Sequence, residues 1–295
     1  MGLWGTALED FRICLCRGVE PVCLFFALPP VMFVFTARAD IGDILNGPFI
    51  FAILLGALAT GIVALVVAKF VFWRDLAQTT FHGFLSIYTN SGYIGIPLFM
   101  AAFGADKMLP TIIITTTEPM MFIAVVMHAM ERMRYPDKPT LGRIWSVAFM
   151  LMKRSMLVVS VLGVMFSAYS IPLPISNGYL LDLLLSSSGP VALFATGLSL
   201  IGHSLLEDLV EIFWFSILKV IVQPVFTFIC VTYIFEMDPF WGQSALILAS
   251  LPIRSSAFVV AQQYDLAVRR ASATVVSSSI LSIATLSALL MYYEV

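Results

Sequence analysis

Nine apolar runs of roughly 20 residues each follow one another along this chain, and that pattern fixes the solvent in which it can fold. In hydrocarbon no water is at hand to pair a backbone N–H or C=O, so each run must satisfy its own polar groups as an α-helix. The runs fall at 20–37, 48–73, 79–104, 108–130, 155–171, 179–201, 209–234, 240–264 and 271–293. They predict an all-α polytopic membrane protein. Composition agrees, because 60% of the 295 residues are hydrophobic and only 12% are charged. A water-soluble domain of this length could not hide that much apolar surface. The segment LGRIWSVAFMLM at 141–152, followed by Lys153 and Arg154, reads either as an amphipathic stretch lying along the interface or as an extension of the next helix.

With nine spans the two termini face opposite sides, and the distribution of lysine and arginine orients them. One side collects Arg12, Arg17, Lys69, Arg74, Arg132, Arg134, Lys138, Arg143, Lys153, Arg154, Arg269 and Arg270, and the other has Arg38 and Lys107. This places the N-terminus and the loop around 131–143 in the cytoplasm and Val295 outside or in a lumen. No charged segment followed by a short apolar core and a small-residue cleavage site opens the chain, so no removable signal is expected. A net charge of −2 without a basic face argues against nucleic acid as a partner. Cys14, Cys16, Cys23 and Cys230 form no pair of CxxC motifs. HExxH, GxSxG and glycine-rich phosphate loops are also missing, so neither an enzyme nor a bound cofactor is expected.

The second half of the sequence repeats the first. LPPVMFVFTARADIGDI from Leu28 parallels SGPVALFATGLSLIGHS from Ser188, with Pro30 and Pro190 separated by 160 positions and Pro97 and Pro252 by 155. An odd number of spans separates equivalent helices, so the halves enter the membrane in opposite directions, the inverted-repeat plan of many secondary transporters. The expected organisation is a first, incomplete repeat at 20–130, a cytoplasmic loop with the interfacial segment at 131–154, and a second repeat at 155–293. The helix at 155–171 has no counterpart in the first half, so one span is expected to be missing there. Residues 1–19 are too short and too charged to supply it.

Two of the runs carry their own interruptions. TNSGYIGIPLF at 89–99 puts Asn90, Gly92, Gly95 and Pro97 inside a span, where proline removes a donor and glycine admits non-helical dihedrals. ASLPIRSSAFVVAQQY at 249–264 does the same around Pro252, with Arg254, Ser255 and Ser256 just beyond it. Unwound backbone at membrane depth is tolerable where it lines a cavity or packs inside protein, so paired breaks at matching positions point to a site where two broken helices cross.

These same segments carry a family resemblance. NSGYIGIPLF at 90–99, PVALFATGLSL at 190–200 and SLPIRSSAFVVAQQY at 250–264 resemble the auxin efflux carrier family, also called PIN-like or malonate-carrier-like. The likeness covers nearly the whole chain, from the family's second span to its tenth. It implies a five-plus-five inverted repeat, a scaffold domain, a transport domain holding both crossed helices, often a homodimer, and small organic anions as typical substrates. A coupling proton or sodium ion belongs to the same expectation. Arg254 departs from the pattern, since many relatives have small neutral residues there.

A charge near the middle of a bilayer is costly and faces a cavity or a partner. Arg254 is expected to attract a substrate carboxylate, which a guanidinium matches with two parallel bonds, or to form a permanent ion pair with Glu118. A third reading alternates between the two as substrate or a proton displaces one partner, and a proton-coupled cycle then requires Glu118 to titrate. Asn90 is the first-half candidate, with an amide able to donate and accept toward a bound solute, or to bond between helices. Lys219 and Gln223, one turn apart, either line a vestibule or snorkel and cap a neighbour, and the structural role is the favoured one. His82 and His128 read as interfacial in preference to a proton relay, and Thr115, Thr116 and Thr117 as bonding back to their own helix, with polarising a cavity beside Glu118 as their other role. The functional expectation is a carrier of a small organic anion working by alternating access. The alternative is a non-transporting membrane protein, either a binding or sensing subunit or a truncated paralogue.

Overall fold

The computed structural model describes residues 28–134, 155–171, 208–264 and 266–294, with scattered positions between 142 and 152 and residue 194. The expectations for residues 1–27, for the span at 179–201 with Pro190, and for most of the 131–154 loop lie outside the described residues. In chain order the helices are α1 (Leu28–Arg38), α2 (Gly47–Phe70), α3 (Leu76–Leu85), α4 (Ile96–Phe103), α5 (Leu109–Arg134), α6 (Ser155–Ala168), α7 (Leu209–Ile234), α8 (Pro239–Ala249), α9 (Ala257–Tyr264) and α10 (Val268–Tyr292). Ile41–Ile44 adds a single helical turn before α2. At the described positions between 142 and 152 the chain is helical and exposes Trp145, Phe149 and Met152.

Four segments are long and apolar enough to cross a bilayer: Ile41–Phe70, Leu109–Met133, Leu209–Ile234 and Val268–Tyr292. The runs read from sequence at 79–104 and 240–264 are each two shorter helices separated by unwound chain. Between α3 and α4 the interruption covers 86–90 and then a π-helical turn, Ser91–Gly95. Between α8 and α9 it covers 250–256. The break in the first run therefore precedes Pro97, which lies inside the helical run Ser91–Phe103, just after the π-helical turn leads into α4.

Local signals start the helices where the sequence supplies them. Asn46 caps α2 by accepting from Phe49 N at 3.1 Å, Asp75 caps α3 through Gln78 N at 2.7 Å, and Asp238 caps α8 through Phe240 N at 3.0 Å. Pro48 and Pro239 fall in the first turn behind their caps. Thr115, Thr116 and Thr117 all donate back to carbonyls four residues earlier, as their sequence predicts, just before Pro119 interrupts the backbone ladder of α5.

Helix α2 shows how the interior is assembled without a hydrophobic driving force between helices. Its outward face carries Phe51, Leu55, Leu58 and Ile62, exposed at helical spacing for lipid, while Ala52, Gly56, Ala57, Thr60, Gly61 and Ala64 are buried. Small residues let backbones approach, and α2 uses them against α7 on one side and α3 on the other. A Cβ at Gly56 would sit 2.3 Å from Thr227 Oγ1 and 2.9 Å from Thr227 N. Backbone on the far side cannot rotate away. Gly56→Val is therefore expected to destabilise the fold by about 3 kcal/mol, the upper part of the usual overpacking range, read as a lowered melting temperature in detergent.

Candidate functional site

The two interruptions meet. Thr89 and Ile253 form an antiparallel bridge: Asn90 N donates to Pro252 O at 2.9 Å, and Arg254 N donates to Tyr88 O at 2.9 Å. Unwinding frees backbone groups in both segments, and each segment satisfies part of the other's. The chain beyond the first break is held by Asn90 O, which accepts from Ile94 N and Gly95 N, both at 3.2 Å.

The sequence-predicted residues gather around this crossing. Gly92 lets α5 and Arg254 come close, since a Cβ there would lie 3.3 Å from Arg254 Nη2 and 3.4 Å from Thr115 Cγ2. Gly95 does the same for Leu251 and Thr111, at 3.0 and 3.2 Å. Pro252 is buried at the bridge, whereas Pro97 is buried further along, in α4. Ser256 Oγ lies 3.2 Å from the Tyr88 hydroxyl, and Ser255 accepts from Phe258 N through its backbone. Asn90 is 1% exposed, and neither atom of its side-chain amide has a hydrogen-bond partner among the described residues. A buried amide left in that condition carries an open desolvation cost that a bound solute would remove.

The expected ion pair between Arg254 and Glu118 is not formed. Arg254 Nε instead donates to Thr89 O at 3.1 Å and Nη2 to Ser91 Oγ at 3.2 Å, while the guanidinium carbon stands 5.3 Å from the centre of the Tyr88 ring. Two of five guanidinium N–H groups are used in this way, and the side chain is half-buried. The reason is local: residues at a break have non-helical dihedrals, so side-chain direction does not follow helical spacing.

Glu118 is fully buried on α5, and its Oε1 accepts the Thr89 hydroxyl at 2.6 Å. The cation across that hydroxyl is Lys219. Its Nζ donates to Thr89 Oγ1 at 2.9 Å, to Gln223 Oε1 at 2.6 Å and to Ala249 O at 3.1 Å, and it is fully buried. Lys219 therefore does not snorkel, but it does cap a neighbour, since Ala249 is the last residue of α8. Lys219 is the eleventh residue of α7, about 15 Å from the helix start, so depth alone already put the interface beyond reach of its side chain. It lies in a π-helical turn, Leu218–Val222, that leads directly into Gln223 and Pro224.

A second charged cluster lies at the beginning of α7. Glu211 accepts from Arg74, from Arg270 Nη1 at 2.9 Å, and has His82 Nε2 within 3.1 Å, while Asp208 lies 3.4 Å from both arginines. His82, read from sequence as interfacial, is 1% exposed and stacked on Phe215 at 4.5 Å between ring centres. Nothing within reach along the sequence signals this, since Glu211 and Phe215 come from another helix. The cluster ties the α2–α3 loop and α3 to the starts of α7 and α10.

Interrupted helices that meet around buried charges are the build of membrane transporters, in which unwound backbone is tolerated because it lines a path. The chain belongs to the membrane transport protein family, whose model matches residues 14–290. It is 31% identical over 277 residues, covering 90% of this chain and 83% of the relative, to a Rhizobium meliloti (strain 1021) protein named "Putative malonate transporter". Together with the apolar helices, the family makes this an integral membrane protein.

Proposed function

We propose that this chain carries a small carboxylate, with a short dicarboxylate such as malonate as the first candidate, across its membrane by alternating access. The observation that carries the reading is the crossover: two interrupted helices paired backbone to backbone, with Arg254 holding N–H groups to spare beside the unpartnered amide of Asn90. A guanidinium is suited to a carboxylate because two parallel bonds fix both position and orientation. The name of the relative favours a dicarboxylate.

The finer architecture belongs to the same reading. Repeats at 20–130 and 155–293, joined by a cytoplasmic 131–154 segment and inserted with opposite orientations, would let one repeat rock against the other around the crossing. Nine spans then put the N-terminus in the cytoplasm and the C-terminus on the far side, and a homodimer would anchor the half that stays still. The chain acts as a carrier and not as an enzyme, driven by an ion gradient or by the solute's own.

Purified protein in proteoliposomes, given a panel of labelled mono- and dicarboxylates, tests this directly. Saturable uptake and counterflow of at least one acid is the expected outcome. Binding of a carboxylate without flux, from demonstrably folded protein, would replace the carrier with a non-transporting binding or sensing subunit.

A further inference from the structure

We infer that Glu118 is the place where a coupling proton travels with the solute, with Lys219 as a fixed positive charge beside it; this rests on the carrier reading above. The three N–H bonds of a lysine ammonium have three acceptors here, Thr89 Oγ1, Gln223 Oε1 and Ala249 O. A neutral amine would leave one of these unfilled. Lys219 is therefore a fixed positive charge, not the group that gains and loses a proton.

Glu118 is placed differently. The single hydroxyl hydrogen of Thr89 goes to Oε1, and Oε2 is buried with no partner among the described residues. A buried ionised carboxylate calls for several donors, and the oxygen without one is the oxygen where a proton can be added. Oε2 is therefore the atom that takes the proton. The charged groups that face Glu118 are Lys219, one hydroxyl away on α7, and Arg254, which shares Thr89 from the second break. Of the other elements packed on α5, α3 brings His82, which is held by Glu211, and the π-helical turn before α4 brings the buried phenol of Tyr93.

Charge balance explains why proton and solute would move together. With Glu118 ionised, two cations face one carboxylate. Adding a dicarboxylate dianion would leave a net negative charge in a buried site, which is costly, and a proton on Glu118 Oε2 returns the loaded site to neutrality. The proton binds from the compartment that the crossing faces and leaves to the other, and only the O–H bond is made and broken. A metal ion fits poorly, because an ammonium already stands beside this carboxylate, linked to its Oε1 through the Thr89 hydroxyl.

The test uses the full chain in proteoliposomes with labelled malonate, the membrane potential clamped at zero, and an entrapped pH dye. An inward gradient of about one pH unit should drive accumulation toward about tenfold, with protons entering alongside the solute. Replacing sodium by potassium should change nothing. Glu118→Gln should carry only downhill or exchange flux whose extent ignores the pH gradient, an accumulation ratio near unity, and Glu118→Asp should recover part of the drive. Accumulation that follows sodium, malonate entry without protons in the wild-type chain, or pH-driven accumulation by Glu118→Gln would each overturn the assignment. Wild-type exchange that is intact but indifferent to pH removes the proton alone. No malonate exchange by folded wild-type protein under any gradient removes the malonate-carrier reading, and the proton assignment with it.

Discussion

Arg254→Ala is expected to lower kcat/KM for dicarboxylate uptake by about a hundredfold or more. Losing a charge-assisted contact to a desolvated carboxylate costs about 3 kcal/mol, and each 1.4 kcal/mol is about a factor of ten. The crossing itself should survive, because the bond that position 254 makes to Tyr88 O comes from its backbone N, and Asn90 N still reaches Pro252 O. Only the side-chain bonds to Thr89 O and Ser91 Oγ disappear. Arg254→Lys keeps the charge without the fork and should fall between wild type and alanine. A melting temperature close to wild type, together with a raised KM, separates loss of binding from loss of fold. Unchanged uptake by Arg254→Ala would move the solute away from the crossing altogether.

Much of this site was legible from residue types whose backbone behaviour is fixed by their own chemistry. Proline and glycine announce interruption wherever they occur, so the segments around Asn90 and Pro252 could be paired before any contact was known. The position of the first break was less legible. Chain unwinds at 86–90, ahead of the glycines, because the bridge with Ile253 takes the backbone of Tyr88 to Asn90, and the helix that resumes at Ser91 runs on through Pro97.

Partnerships between side chains were not legible, for a different reason. Glu118 and Arg254 are the charges most obviously placed inside spans, and pairing them is the economical reading of the sequence alone. Thr89 changes the arrangement: its carbonyl takes Arg254, its hydroxyl serves Glu118, and Lys219 arrives from a helix 130 residues further on. Depth along α7 was the available signal that Lys219 would not snorkel, while the capping half of its reading holds, since its ammonium donates to Ala249 O at the end of α8. His82 carried no such signal, since the residues that bury and pair it, Phe215 and Glu211, are distant in sequence.

Lys219→Met should be the most damaging single change at the crossing for stability. It removes the donor to Thr89, Gln223 and Ala249 together and leaves Glu118 in a dry interior with its nearest cation gone. Breaking a buried pair by deleting one partner costs about 3–5 kcal/mol, which for a chain of this size lowers Tm by ~10 °C. The physical origin of that loss can be separated by a second substitution. Glu118→Gln in the same chain removes the stranded charge while keeping an acceptor for the Thr89 hydroxyl, so the double variant should recover at least half of the lost stability although it contains more changes. Detergent melts of the two single variants and the double variant close a cycle in which a large favourable coupling is expected. Purely additive losses would mean that Lys219 holds the crossing through its hydrogen bonds alone, and a Lys219→Met variant as stable as wild type would mean that Arg254 already supplies the compensating charge.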